Sequence, residues 1–159
     1  MVVNGPIDHE SFMRLALKEA KMAYDEGEVP IGAVVVNVSR TVIGRGHNQR
    51  ELWRDPTAHA EMIAIRDAAR VYGDWRLLDC TLYVTVEPCV MCAGAAQLSR
   101  IGHVVYGATN NKGGSLGSSV NLYEIPNFNH YPVITTGVLA EECGMMMQDF
   151  FRNRRRGFS

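Results

Sequence analysis

The residues best suited to chemistry form two short motifs, each at the start of a predicted helix. One residue separates His59 from Glu61, and two residues separate Cys89 from Cys92. Cysteines at positions i and i+3 leave the same face of a helical turn, so both sulfurs can hold one ion at about 2.3 Å. His59 supplies a third ligand. The pattern predicts one zinc ion per chain with an open fourth position, which is typical of catalytic zinc.

Glu61 is predicted to carry protons instead of binding the metal. Residues two apart on a helix point about 200° away from each other, so His59 and Glu61 cannot both bind one ion from the middle of a helix. In the first turn, Glu61 can still reach a water on the metal. A zinc protease is disfavoured, because Ile63 stands where its H-E-x-x-H motif requires a second histidine.

Each motif alone has a simpler interpretation. A C-x-x-C pair can be a redox site, a single histidine is often structural, and an acid in the first turn complements the helix dipole. The joint occurrence of the two motifs favours the metal site. Cys80 and Cys143 have no partner at ligand spacing and are predicted to be thiols in the core.

The composition favours one ordinary folded domain spanning residues 1–159, because 47% of the residues are apolar and 21% are charged. No apolar run approaches the roughly 20 residues that cross a bilayer, so no contact with a membrane is expected. The N-terminal residues carry no export signal pattern, and the cytoplasm is therefore the expected location.

The charge is unevenly distributed along the chain. Residues 152–159 contain four arginines and no acid, and removing their charges from the formal net charge of −1 leaves −5 for residues 1–151. A basic end at about residues 150–159 can attract a polyanion to one edge of the protein. The alternative is a solvated helix end whose arginines complement the helix dipole.

The periodicity of apolar residues predicts helices over 9–26, 58–72, 90–98 and 138–156, and strands over 32–38, 41–46, 81–86, 103–106 and 132–136. This order predicts one sheet covered by helices on both faces, which is a three-layer α/β/α domain. The stretch 108–131 is rich in glycine, serine and asparagine, and loops of that length are usually functional or mobile.

Several longer segments resemble the bacterial tRNA-specific adenosine deaminases, which are zinc-dependent members of the cytidine and deoxycytidylate deaminase superfamily. The resemblance covers about residues 8 to 156. The matching segments include Glu28-Val29-Pro30-Ile31-Gly32-Ala33-Val34, Asp55-Pro56-Thr57-Ala58-His59-Ala60-Glu61, Thr81 to Ala95 with its Glu87-Pro88-Cys89-Val90-Met91-Cys92, Ser99-Arg100-Ile101 and Asp149-Phe150-Phe151-Arg152.

The resemblance implies a cytidine-deaminase-like α/β fold with a mixed central sheet of about five strands, a homodimer, and conversion of adenosine to inosine at the wobble position of a tRNA anticodon arm. In this mechanism zinc and Glu61 activate a water that attacks C6 of the purine. Glu61 then returns the proton to the ring and to the leaving ammonia. The substrate-binding residues implied are Asn48 and the Ala60 N–H at the base, with Val29, Asn110, Phe150, Arg152 and the 108–131 loop. Phe150 could equally belong to the core.

One position departs from the family pattern, because Asn110 stands where bacterial members commonly carry an acid. That position lies near the substrate backbone in the family, so an engineered or relaxed form that acts on single-stranded DNA is one alternative. A guanine or cytosine deaminase on the same fold is another, although the arginine-rich end would then have no role. A zinc-bearing interaction module without activity would not need Glu61.

Overall fold

A five-stranded mixed sheet forms the centre of the molecule. The computed structural model describes residues 5–155 and 157, and the strands follow the order β2-β1-β3-β4-β5. Strands β2 and β3 both run antiparallel to β1, whereas β3, β4 and β5 are parallel to one another. The strands are β1 (Gly32–Val36), β2 (Val42–His47), β3 (Thr81–Val86), β4 (His103–Ala108) and β5 (Val133–Thr135).

The helices lie close to their predicted positions. Asp8 caps the first helix by accepting a hydrogen bond of 3.1 Å from the Ser11 N–H, and Gly73 ends the third in the left-handed conformation. Two short elements were not predicted: a four-residue helix and a 3-10 turn at Leu122–Glu124 inside the long loop. The helices are α1 (His9–Asp25), α2 (Arg50–Trp53), α3 (Ala60–Tyr72), α4 (Val90–Leu98) and α5 (Ala140–Arg155).

Two apolar clusters, one on each face of the sheet, confirm the predicted three-layer architecture. Successive side chains of a strand point to opposite faces, so Leu82 packs with α3 and α4 while Tyr83 packs with α1 and α5. Cys80 belongs to the first cluster and Cys143 to the second. Both thiols are buried and free, as predicted.

Helix α3 rests directly on β2. A Cβ atom on Gly44 or Gly46 would lie 2.2 Å from the Ala64 carbonyl oxygen or 2.4 Å from that of Ala60. Only glycine permits this approach of helix and strand backbones. The close packing fixes the height of α3 above the sheet, and therefore the position of its first residues.

The strand directions bring several residues of the candidate site to one edge of the sheet. The carboxyl ends of β2, β3 and β4 lie there together with the amino end of β1, because β1 is antiparallel to its neighbours. Asn48, Glu87 and Thr109 follow directly after these three strands, and Val29 precedes β1. Within the part of the chain that the structure describes, no helix is both long and apolar enough to span a bilayer.

Candidate active site

His59, Cys89 and Cys92 converge at this edge. The Nδ1 atom of His59 lies 3.6 Å from Sγ of Cys89 and 3.5 Å from Sγ of Cys92. A tetrahedral zinc with ordinary bond lengths requires about 3.5 Å between a nitrogen and a sulfur ligand. The three donors therefore fit the predicted zinc ion. Among the described residues, these three side chains form a cluster whose ligand atoms all lie within 4.8 Å of one another.

The three ligand residues lie at the amino termini of two helices. His59 and Cys89 are the residues immediately before α3 and α4, and both are in an extended conformation. This backbone turns their side chains back beyond the helix ends, where Cys92 in the first turn of α4 joins them. The N–H groups at a helix start have no partner within the helix, and their partial positive charge favours a thiolate.

The two thiols differ in how readily they lose a proton. The thiol of Cys92 and the ring of His59 both donate toward the sulfur of Cys89, which lowers the pKa of Cys89 to about 4. The neighbouring Cys89 sulfur, together with burial, raises the pKa of Cys92. Because zinc binds cysteine as the thiolate, the thiol protons that remain are released when the ion binds.

Glu61 lies beside this group at the bottom of the site. Its side chain is only 4% exposed, and burial raises its pKa to about 7. A carboxyl group in this range can both accept and return a proton at neutral pH. The structure thus places Glu61 beside the three ligand side chains, in a buried position.

A small cavity of about 160 Å³ opens onto these residues. Typical ligand pockets span about 300–1,000 Å³, so this cavity suits one planar base better than a whole nucleotide. It brings together most of the predicted site residues. Its lining consists of Val29, Ile31, Asn48, Arg50, His59, Ala60, Glu61, Glu87, Cys89 and Asn110.

Asn48 retains hydrogen-bonding capacity toward the cavity. Its side-chain nitrogen donates to the Val29 carbonyl at 3.2 Å, and its oxygen accepts from the Arg50 N–H at 3.2 Å. An amide offers two donors and two lone pairs, so one of each remains for a base edge. The N–H of Ala60 is also available, because it is the first residue of α3 and has no acceptor within the helix.

A larger cleft of about 930 Å³ continues from the cavity and shares Val29, Ile31, Arg50 and Asn110 with it. Among the residues that the structure describes, four basic side chains and no acidic one line this cleft. They come from three separate segments and are Arg50, Lys112, Arg152 and Arg155.

The end of α5 presents different residues to the cleft than the sequence suggested. Arg152 lines the cleft, but Phe150 does not: it is 4% exposed and packs edge-on against Tyr24 of α1. Phe151 takes the position at the cleft. In the basic end, Arg154 turns toward Phe150 and α1, and Arg156 lies outside the described residues.

Sequence reasoning missed two buried carboxylates that hold the walls of the site. Glu28 accepts hydrogen bonds from the N–H groups of Glu51 and Leu52 at 3.2 and 2.9 Å, and so fixes α2, which begins with Arg50. Glu87 binds the loop after β4. Glu28 precedes Val29-Pro30 and Glu87 precedes Pro88 in the matching segments. Nothing in the sequence, however, indicates that the two acids are buried.

Comparisons with known proteins agree with this geometry. Residues 6–108 match the family described as the cytidine and deoxycytidylate deaminase zinc-binding region. The chain is 51% identical over 147 residues to the tRNA-specific adenosine deaminase of Bacillus subtilis, covering 92% of this chain and 91% of that protein. It is 48% identical over 146 residues to the enzyme of the same name from Haemophilus influenzae, covering 92% and 84%.

A solved structure from a study of A-to-I editing by tRNA:A34 deaminases at the wobble position of transfer RNA superimposes with a TM-score of 0.82 and 43% sequence identity. It covers 86% of this chain and 98% of that one. The chain therefore belongs to the cytidine and deoxycytidylate deaminase family of zinc-binding enzymes, within the branch of the tRNA-specific adenosine deaminases.

Proposed function

We propose that this protein hydrolyses adenosine to inosine and ammonia at the wobble position of a tRNA anticodon. The observation that carries the proposal is the arrangement of Glu61 beside three zinc ligands, at the bottom of a base-sized cavity that opens into a basic cleft. The identity of about one half with tRNA-specific adenosine deaminases supports the same substrate. The proposed site of action is the cytoplasm.

The catalytic residues act on a base held by the cavity walls. A zinc ion bound to His59, Cys89 and Cys92 would lower the pKa of water, so that the nucleophile forms near neutral pH. Glu61 accepts the proton of that water as its oxygen bonds to C6 of the purine. Glu61 then delivers that proton to the ring nitrogen. It next transfers the second proton, from the oxygen now on C6, to the exocyclic nitrogen, so that the C6–N bond breaks, C6=O forms and ammonia leaves. Asn48 and the Ala60 N–H hold the base edge during these transfers.

The basic cleft supports RNA as the substrate. A free base would fill the small cavity and leave the 930 Å³ cleft unused. Phosphates on both sides of a flipped nucleotide would instead meet Arg50, Lys112, Arg152 and Arg155, and Phe151 offers an aromatic face for a neighbouring base. Val29 and Asn110 lie where cavity and cleft join, so we assign them contacts with the target nucleotide.

The proposal includes a homodimer formed through α4. Val90, Gly94 and Leu98 follow one another at intervals of four and share one face of this helix. Val90 is 55% and Leu98 65% exposed, Gly94 faces open space, and α4 contains no charged residue. An apolar face with glycine at its centre allows a second helix to approach closely. Light scattering should give the mass of a dimer for the wild type and of a monomer for Leu98→Glu. Met145→Glu, which changes an exposed residue of α5 on the opposite layer, should remain a dimer.

The substrate assignment is tested by incubating the purified protein separately with an anticodon stem-loop, adenosine, guanine, cytidine and a single-stranded DNA of the loop sequence. Mass spectrometry then scores deamination in each. We expect rapid conversion of the stem-loop and slow conversion, or none, of the others. Faster turnover of guanine or cytidine would replace the proposal by a small-molecule deaminase. Equal turnover of DNA and RNA would show that the cleft does not distinguish their sugars.

A further inference from the structure

Glu87, which follows β3 directly, is almost completely buried yet forms four hydrogen bonds with one loop. Its side chain is 2% exposed. One carboxylate oxygen accepts from the Asn110 N–H at 3.2 Å and from the hydroxyl of Ser118. The other accepts from the N–H groups of Leu116 and Ser118 at 3.0 and 3.1 Å. A single carboxylate thus gathers residues 110–118 around itself.

Two further contacts tie the same loop to the residues before the zinc ligand Cys89. Ser115 donates both its N–H and its hydroxyl to the carbonyl oxygen of Pro88, at 2.9 and 3.1 Å. Gly114 lies against the Glu87 carboxylate, where a Cβ would come within 2.5 Å of its atoms. The same Cβ would lie 2.5 Å from the Asn110 carbonyl oxygen, so the carboxylate and the loop backbone together require glycine here.

The loop held in this way forms one wall of the basic cleft, through Asn110, Asn111 and Lys112. A segment with three glycines has high conformational entropy when free, and ordering it during binding would weaken the affinity for any ligand. The mechanism described above gives Glu87 no part in proton transfer.

We propose that Glu87 is a positioning residue that holds residues 110–118 as a preformed wall of the cleft and so sets the affinity for the RNA strand. This inference rests on the proposed function for its substrate, but the state of the loop can be measured without any substrate.

A carboxylate suits this role because it accepts hydrogen bonds only and has room for about four of them. Glutamine has the same shape, yet its amide nitrogen cannot accept. Glu87→Gln should therefore break the two hydrogen bonds on one side of the group.

The rate of limited proteolysis measures directly how well the loop is ordered. Lys112 is the one lysine or arginine between residues 101 and 151, so trypsin cleavage after it gives two recognisable fragments. We expect Glu87→Gln to speed this cleavage about tenfold or more, because two charged hydrogen bonds are lost. Ser118→Ala should have a smaller effect in the same direction, and remains informative if Glu87→Gln does not fold. Glu124→Gln, an exposed acid of the same loop, should be cleaved like the wild type.

The neighbouring glycines provide a matched pair. Gly114→Ala pushes a methyl group into the carboxylate and should resemble Glu87→Gln, whereas a Cβ on Gly113 meets only the Asn110 side chain at 3.4 Å. Gly113→Ala should therefore behave like the wild type. The double variant Glu87→Gln/Gly114→Ala should be cleaved more slowly than the product of the two single effects, because both substitutions act on the contact with the Glu87 side chain.

Steady-state kinetics of the Glu87 variant with the stem-loop test the positioning role, with the zinc content measured in the same preparation. Glu87→Gln should raise the KM for the stem-loop about tenfold and leave kcat within twofold, with a full complement of zinc. Unchanged cleavage after Lys112 in both Glu87→Gln and Gly114→Ala would overturn the proposal. So would a fall in kcat alone, or loss of zinc. If the wild type does not deaminate RNA, the proposed function fails, and stem-loop binding by fluorescence anisotropy then decides the role of Glu87.

Discussion

At the scale of single residues, the proposed function divides the site between three metal ligands and one acid that transfers protons. We expect the purified protein to contain about one zinc per chain by elemental analysis, and Cys92→Ala to lose most of it, because two ligands bind far more weakly than three. Cys80→Ala is the control, since that thiol is buried away from the site. A wild-type protein purified without chelators and free of zinc would contradict the assignment.

Glu61→Gln separates proton transfer from metal binding. The substitution keeps the shape of the side chain but removes its ability to accept and return a proton. Deamination should fall by about 10²–10⁴-fold, the usual contribution of a general acid and base, while zinc content and the thermal unfolding temperature stay close to those of the wild type. Loss of zinc in this variant would make Glu61 a ligand instead.

At the scale of elements, the long periodic segments were predictable and the short ones were not. The helical spacing of Ala16, Ala20 and Ala23 and the alternation of residues 81–86 identify α1 and β3 from sequence. Helix α2 has four residues, too few for any periodicity, and it is held by the distant Glu28. The ligand motifs were predictable because the spacing within each one is local, although His59 and Cys89 are 30 positions apart in the chain. The basic cleft was not, because its residues come from three separate segments.

The register of α5 illustrates how one residue changes a role. Phe150 and Phe151 are adjacent, and the sequence alone does not decide which faces the cleft. Because Phe150 is buried against α1, Phe150→Ala should lower the free energy of unfolding by about 3–5 kcal/mol. Phe151→Ala should change stability little and raise the KM for the stem-loop roughly tenfold, since base stacking on an aromatic ring contributes about 1–3 kcal/mol.

Urea unfolding and steady-state kinetics of both variants measure these effects. A larger loss of stability in Phe151→Ala than in Phe150→Ala would reverse the two roles.

The end of β2 is joined to α1 through His47. Its Nδ1 lies 3.0 Å from Glu19 and its Nε2 3.1 Å from Glu26, and the hydrogen bond with Glu19, followed by that with Glu26, raises the pKa of His47 above 6.5. The folded protein then binds this proton more tightly than the unfolded chain. The stabilisation is complete below about pH 6.5 and is lost as the pH rises through the raised pKa.

The urea midpoint of the wild type should therefore decline from pH 6.5 upward more steeply than that of His47→Gln, which cannot take up a proton. Parallel pH profiles for the two proteins would show that this contact does not depend on charge.

At the scale of the whole molecule, the charge distribution and the fold have to be considered together. Residues 1–151 carry a formal charge of −5, taking the four arginines of residues 152–159 away from the net −1, and such a body repels RNA over distances of a Debye length. The fold offsets this repulsion at the cleft. Helix α5 turns Arg152 and Arg155 into the cleft beside Arg50 and Lys112, so that the basic edge predicted from the sequence coincides with the opening of the active site.

This arrangement predicts how binding responds to salt. Each phosphate contact that is lost makes the dependence of log K on log salt shallower by about 0.7–0.9. Arg152→Ala/Arg155→Ala should therefore reduce the slope for an anticodon stem-loop by roughly 1.5 and raise its Kd most at low salt. Arg154→Ala is the control, because this guanidinium lies over the Phe150 ring at 5.4 Å and donates to the Gly27 carbonyl, outside the cleft. Arg154→Ala should lower the free energy of unfolding and leave the slope of log K against log salt unchanged. An equal change of slope in both variants would mean that the end of α5 attracts RNA by its net charge alone, and no change in either would place the RNA elsewhere on the surface.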